Sequence, residues 1–160
     1  MALVFTKLFM RKFTAEDAKK VDGIYCKYFT ALIEGDVRVN YTRSRYLLGK
    51  ATVGRKYKTI LLKKIVPHTV AHELMHLAQG NGNGIPHGER ACDVYTNALG
   101  EDVCDHSYYI KTHSASPELI HQVCKEAVEK RNAGLRNYIS WAEDEMKARS
   151  TGASILQGLR

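Results

Sequence analysis

Hydrophobic periodicity changes twice along this chain, and the changes predict an α+β fold. An amphipathic stretch at helical spacing comes first, a block of β-rich runs follows, and from about residue 67 the pattern returns to helical spacing. The 160 residues, 44% hydrophobic and 26% charged, suit one domain of ordinary size, expected over 1–149 with a flexible or docked tail over 150–160.

Each element has a local cause. Thr14 followed by Asp17 has the form of a capping box, and Ala18, Val21, Ile24, Tyr25, Tyr28, Leu32 and Ile33 recur on one face, so an N-terminal helix is predicted over 15–34. Gly35-Asp36 breaks it. Three β-rich runs follow, Val37 to Tyr41, Arg45 to Val53 and Tyr57 to Leu62, with Gly54-Arg55 as a hairpin turn, predicting a small three-stranded sheet. Pro67 suits the first turn of a helix carrying Val70, Ala71, Leu74, Met75 and Leu77, which Gly80 ends. After the glycine-rich loop Asn81 to Gly84, further C-terminal helices are expected from Glu89 to Leu99, from Ser116-Pro117 onward, and through Leu135, Tyr138, Ile139, Ala142 and Met146.

Composition excludes a collagen, a disordered chain and a disulfide scaffold. No apolar run approaches the roughly 20 residues of a bilayer span. The start, Met1 to Phe9, contains Lys7 and leads into Arg11 and Lys12 without a small-residue cleavage site, so a soluble, cytoplasmic protein with no membrane partner is expected. Cys26, Cys92, Cys104 and Cys124 lie far apart without a Cys-x-x-Cys pair and read as reduced, mostly buried thiols.

The formal charge of +7 is unevenly distributed: residues 1–64 carry +10 and residues 65–160 carry −3. Between Val37 and Lys64 there are nine basic residues and no acid, with Tyr41, Tyr46 and Tyr57 interleaved. Such a stretch can track a phosphate backbone and stack on bases, or serve only as a solvated sheet face. Arg43, Arg45, Lys50, Arg55, Lys56 and Lys58 are the candidate nucleic-acid contacts.

The chemistry centres on His72-Glu73-Leu74-Met75-His76. Residues four apart on a helix share a face, so both imidazoles can bind one Zn2+, with Glu73 beside them as the candidate catalytic base. A catalytic zinc needs a third protein ligand and an open position. In one arrangement His87, presented by Pro86-His87-Gly88, is that ligand. In the other Glu89 ligates, and Asp93, one turn later, bonds a ligand imidazole. His68 reads as a surface or capping residue, and His121 is assigned no role.

From Thr69 to Gly100 these residues resemble the SprT-like, Spartan-type zinc metalloproteases: His72, Glu73, His76, a variable loop, then His87-Gly88 and the later Ala98-Leu99-Gly100. The resemblance implies a minimal zincin-like protease domain with His72, His76 and His87 on zinc. Ala91 departs from the aromatic usual in that family, and a C-terminal cysteine ribbon is absent. The Glu89-x-x-x-Asp93 step is instead similar to the gluzincin pattern, although only twelve residues separate His76 from Glu89.

The expected activity is endopeptidase hydrolysis of protein or peptide substrates through a zinc-bound water activated by Glu73. Tyr95, Tyr108, Tyr109, His106 and His113 are candidate oxyanion donors. The strand Tyr57 to Leu62 is either the edge that pairs with an extended substrate, with Thr59 to Leu61 lining the cleft, or an ordinary core strand. Together with the basic sheet, the family resemblance implies substrates held near DNA. The alternatives are a gluzincin-type regulatory peptidase and a non-catalytic, zinc-containing nucleic-acid-binding domain.

Overall fold

The computed structural model describes residues 2–54 and 56–158, with the backbone alone from 153 onward, and its chain contacts divide into two units, Met1–His87 and Gly88–Arg160. The first unit runs β1 (Leu3–Phe5), α1 (Lys7–Lys12), α2 (Ala15–Tyr28), β2 (Val37–Tyr41), β3 (Gly49–Val53), β4 (Lys58–Leu62) and α3 (Pro67–Gln79). The second contains α4 (Glu89–Asn97), a 3-10 turn at Glu101–Val103, α5 (Pro117–Asn132) and α6 (Tyr138–Gly158). The architecture is α+β, with six α-helices and a small mixed sheet among the described residues.

The expected sheet of three strands has four, in the order β1-β2-β4-β3. The added strand, β1, is three residues long, too short for its alternation to show in the sequence, and it pairs in parallel with β2. β2 and β4 are also parallel, while β3 lies antiparallel to β4. Of the two readings of Tyr57 to Leu62, the substrate-pairing edge is corrected and the core strand holds: this strand, with Thr59 to Leu61, lies inside the sheet, and the edges are β1 and β3. Two runs are shorter than predicted. β3 begins at Gly49 because Thr42 and Ser44 hydroxyls bond the Ser44 and Tyr46 amides and turn the chain ahead of it.

α2 starts as its capping box dictates: the Thr14 amide donates to Asp17 Oδ2 at 2.9 Å and the Asp17 amide to Thr14 Oγ1 at 3.1 Å. It stops at Tyr28 rather than near residue 34, because the Leu32 and Ile33 amides both donate to the Phe29 carbonyl at 3.0 Å. That turn buries Ile33 without continuing the helix. Alternation puts Val37, Val39, Ile60 and Leu62 in the core of the first unit. α3 packs against β3, β4 and α2, burying Val70, Ala71, Leu74, Met75, Leu77 and Ala78.

In the second unit, α5 and α6 pack together and α4 lies against α5. Ser116 caps α5 by accepting from the Leu119 amide, and Pro117 occupies the first turn. Gly134, at φ +107°, follows its last turn in the left-handed region that glycine tolerates. Val94, Ile120, Val123, Cys124, Ala127, Tyr138, Ala142 and Met146 form the core of this unit. α6 continues through residue 150 to Gly158, so most of the expected tail is helical backbone. Among the described residues, no helix is long and apolar enough to cross a membrane.

Candidate metal centre

α3 carries its histidines on one face. The His72 and His76 rings stand nearly perpendicular, with centroids 4.7 Å apart, and the His68 and His72 centroids are 6.1 Å apart. The helix is short of ordinary caps, starting at Val66 with no side-chain bond to its first amides. It is held by packing instead: nine of its thirteen residues are buried, His72 and Glu73 among them at 8% and 7% exposure. An imidazole and a carboxylate in such surroundings cost free energy unless they bond or bind a metal.

Gln79, one turn beyond His76 and 5% exposed, orients that histidine. Its Oε1 lies 2.9 Å from His76 Nδ1, and its Nε2 donates to the Pro86 carbonyl at 2.6 Å. An oxygen acceptor at Nδ1 makes that nitrogen the donor and leaves the lone pair on Nε2, the form in which histidine binds metals. The same amide ties the loop before His87 back to α3. Sequence reading missed Gln79; its signal was a long amide three residues past the second histidine, on the same helical face.

Among the described residues, His68, His72 and His76 of the first unit carry atoms placed to ligate a metal ion, and Cys92 and Asp93 of the second carry possible ligand atoms of their own. Within the first unit, the ligand atoms of His72 lie within 4.8 Å of those of His76, and those of His68 within the same distance of His72. Imidazole nitrogens are donors that zinc accepts, so the histidines of α3 fit the expected metal. His68, read from sequence as surface or capping, is half-buried and joins the donors. In the second unit, Cys92, read as a reduced, buried thiol, is buried. His87 and Glu89 are exposed, and among the described residues neither belongs to a group of ligand atoms able to hold a metal.

Glu73 sits against the edge strand. The nearest atoms to a Cβ built at Gly49 of β3 would be Glu73 Cγ and Oε1, at 2.7 Å. The carboxylate thus lies at the first residue of an antiparallel strand whose outer edge no other strand of the sheet covers.

In the second unit, Asp93 is 1% exposed and accepts from the Ser107 hydroxyl, whose oxygen in turn accepts from the Tyr109 and Ile110 amides. Asp93 thereby fixes the loop holding several oxyanion candidates. Tyr95 accepts from Arg131 Nη1 at 3.1 Å, His106 Nδ1 meets Thr112 Oγ1 at 2.8 Å, and Tyr108, Tyr109 and His113 are exposed. His121 bonds the Asn97 carbonyl, consistent with no chemical assignment. Burial pushes the Cys104 thiol up to about 12, helped by Glu101, Asp102 and Asp105, and raises Cys124 as well.

The basic candidates fall on one segment of the first unit. Arg43 and Arg45 lie exposed between β2 and β3 beside Tyr46, which is 94% exposed; Lys50 projects from β3 and Lys56 from the turn after it. Arg38 stacks 4.0 Å from the Tyr57 ring centroid, with Lys56 Nζ at 5.4 Å. Lys58 is differently placed, half-buried and donating to the Glu34 carbonyl. Arg55 lies outside the described residues. No family model, curated protein or solved structure matches this chain.

Proposed function

We propose that the protein is a zinc-dependent metallopeptidase that hydrolyses peptide bonds with Glu73 as general base. One observation carries the reading: His72, Glu73 and His76 are gathered on α3, with His76 oriented by Gln79 and Glu73 seated against an open sheet edge. The SprT-like resemblance supports it from the sequence side.

His72 and His76 hold the metal through imidazole nitrogens. When bound, zinc supplies a Lewis acid and lowers the pKa of a water toward ~7. Glu73 accepts the proton of the attacking water at a carboxylate oxygen, then delivers it to the amide nitrogen as the C–N bond breaks. An extended substrate pairs with the outer edge of β3 through backbone hydrogen bonds, which brings its carbonyls past Glu73. His87, at the end of the first unit, is the third ligand that the sequence motif implies. Arg43, Arg45, Lys50 and Lys56 favour substrates associated with DNA or another polyanion.

The test pairs metal content by mass spectrometry with cleavage of fluorescein-labelled casein, with and without DNA. It uses wild type, Glu73→Gln, His76→Ala and alanine variants at His87, Glu89, Cys92 and Asp93. About one zinc per chain, lost with His76→Ala and with one of the other four, together with casein cleavage abolished by Glu73→Gln, is the expected result. Metal-free protein from every preparation overturns the reading. Salt-independent behaviour with DNA removes the polyanion part alone.

A further inference from the structure

We propose that Gly49 is a positioning residue for Glu73, absent a side chain so that the carboxylate can occupy the space beside the edge strand. The inference deepens the peptidase reading and rests on it for its catalytic half.

The case begins with why this residue is glycine. Its φ lies outside the positive values found at Gly35, Gly82, Gly84, Gly88 and Gly134, so the backbone does not require it. It pairs with Leu62 in a regular antiparallel ladder, a place where glycine weakens a strand. Space is the remaining requirement. An added Cβ would stand 2.7 Å from Glu73 Cγ and Oε1 and 3.0 Å from Cδ, closer than such atoms approach one another. Nine other glycines differ: Gly23, Gly35, Gly82, Gly84, Gly88, Gly134 and Gly152 have no atom within 4 Å of a built Cβ, Gly80 has ordinary contacts, and Gly54 meets the Tyr57 carbonyl at 3.1 Å.

Glu73 is 7% exposed. A methyl group at position 49 therefore turns the carboxylate away from the strand and leaves the imidazoles of His72 and His76 in place. Displacing a proton acceptor by about 1 Å is enough to cost on the order of 10²-fold in rate. Gly49 thus sets the height of Glu73 relative to a peptide running along β3.

The experiment is a double-mutant cycle of Gly49→Ala and Glu73→Ala, with Gly23→Ala as a control glycine substitution. Zinc content and melting temperature are measured for all variants, and kcat and KM on a quenched peptide taken from a casein cleavage site. Gly49→Ala is expected to keep its zinc and lower kcat about 10²-fold, with KM held within about twofold. Its melting temperature should fall by about 3–10 °C, a loss that disappears in the Glu73→Ala background, where no Cγ remains to clash. If Gly49→Ala does not fold and the double variant does, the same coupling is shown in stronger form. An equal loss in both backgrounds, or an unchanged kcat, overturns the proposal. A wild type that holds zinc and cleaves no peptide removes the peptidase reading and the catalytic half with it. The thermal cycle, independent of turnover, still decides whether Gly49 seats Glu73.

Discussion

α3 and α5 both open with proline and both lie in the core of their own unit, yet they bury different things. α5 buries Ile120, Val123, Cys124 and Ala127 along one stripe, is capped by Ser116, and turns its charges outward. α3 buries apolar residues and, among them, His72, Glu73 and Gln79, and it has no side-chain cap. A helix selected for stability alone resembles α5. The polar residues buried in α3 are the ones that the proposed metal chemistry uses.

That contrast can be broken at its strongest point first. Glu73→Gln should lower peptidase activity on the order of 10³-fold while leaving zinc content unchanged and the melting temperature equal or higher, because a buried charge is removed. Activity and calorimetry on one preparation check both halves. Ile120→Ala in α5 should do the reverse, destabilising by about 2–5 kcal/mol in urea unfolding without changing kcat of the folded fraction. Gln79→Ala should weaken zinc affinity about 10–100-fold in a competition titration, since His76 loses the acceptor that fixes its tautomer. Ser116→Ala should cost about 1 kcal/mol through the lost cap.

The smallest expected effect concerns pH. Hydrogen bonding from Arg149, then its charge, holds the Glu126 carboxyl below its ordinary value against a modest desolvation cost. A carboxyl lowered in the folded state gives stability that is present above the ordinary glutamate range and is lost as pH falls through the folded value. The melting-temperature difference between wild type and Glu126→Gln should therefore be full at neutral pH and shrink below about pH 4.

Local signals carried much of this architecture. The Thr14 capping box, the Val37–Tyr41 strand, the Pro67 start and Gly80 stop of α3, and the Ser116 cap all follow from neighbouring residues. What escaped depends on partners far along the chain. β1 exists because Leu3, Val4 and Phe5 find Val37, Arg38 and Val39, and β4 is interior because β2 flanks its other side. The overrun of α2 came from Leu32 and Ile33, whose spacing suits a helix although a turn buries Ile33 equally well. At the candidate site, the His72-Glu73…His76 arrangement was legible from spacing. His68 reads as surface or capping because its position relative to Glu73 breaks the motif, and Cys92 reads as a reduced, buried thiol because no Cys-x-x-Cys partner stands near it. Gln79 was silent because a glutamine announces no role until its two partners, His76 and Pro86, are seen.

The open edge of β3 has one more consequence, for the crowd of identical copies in which any protein lives. A bare strand edge invites a second molecule to extend the sheet, and such pairing, once begun, has no natural end. Lys50 on that edge, with Arg43, Arg45 and Lys56 beside it, makes every approaching copy meet its own charge. Like charges on that edge oppose such pairing, and salt, which screens the repulsion, weakens the opposition.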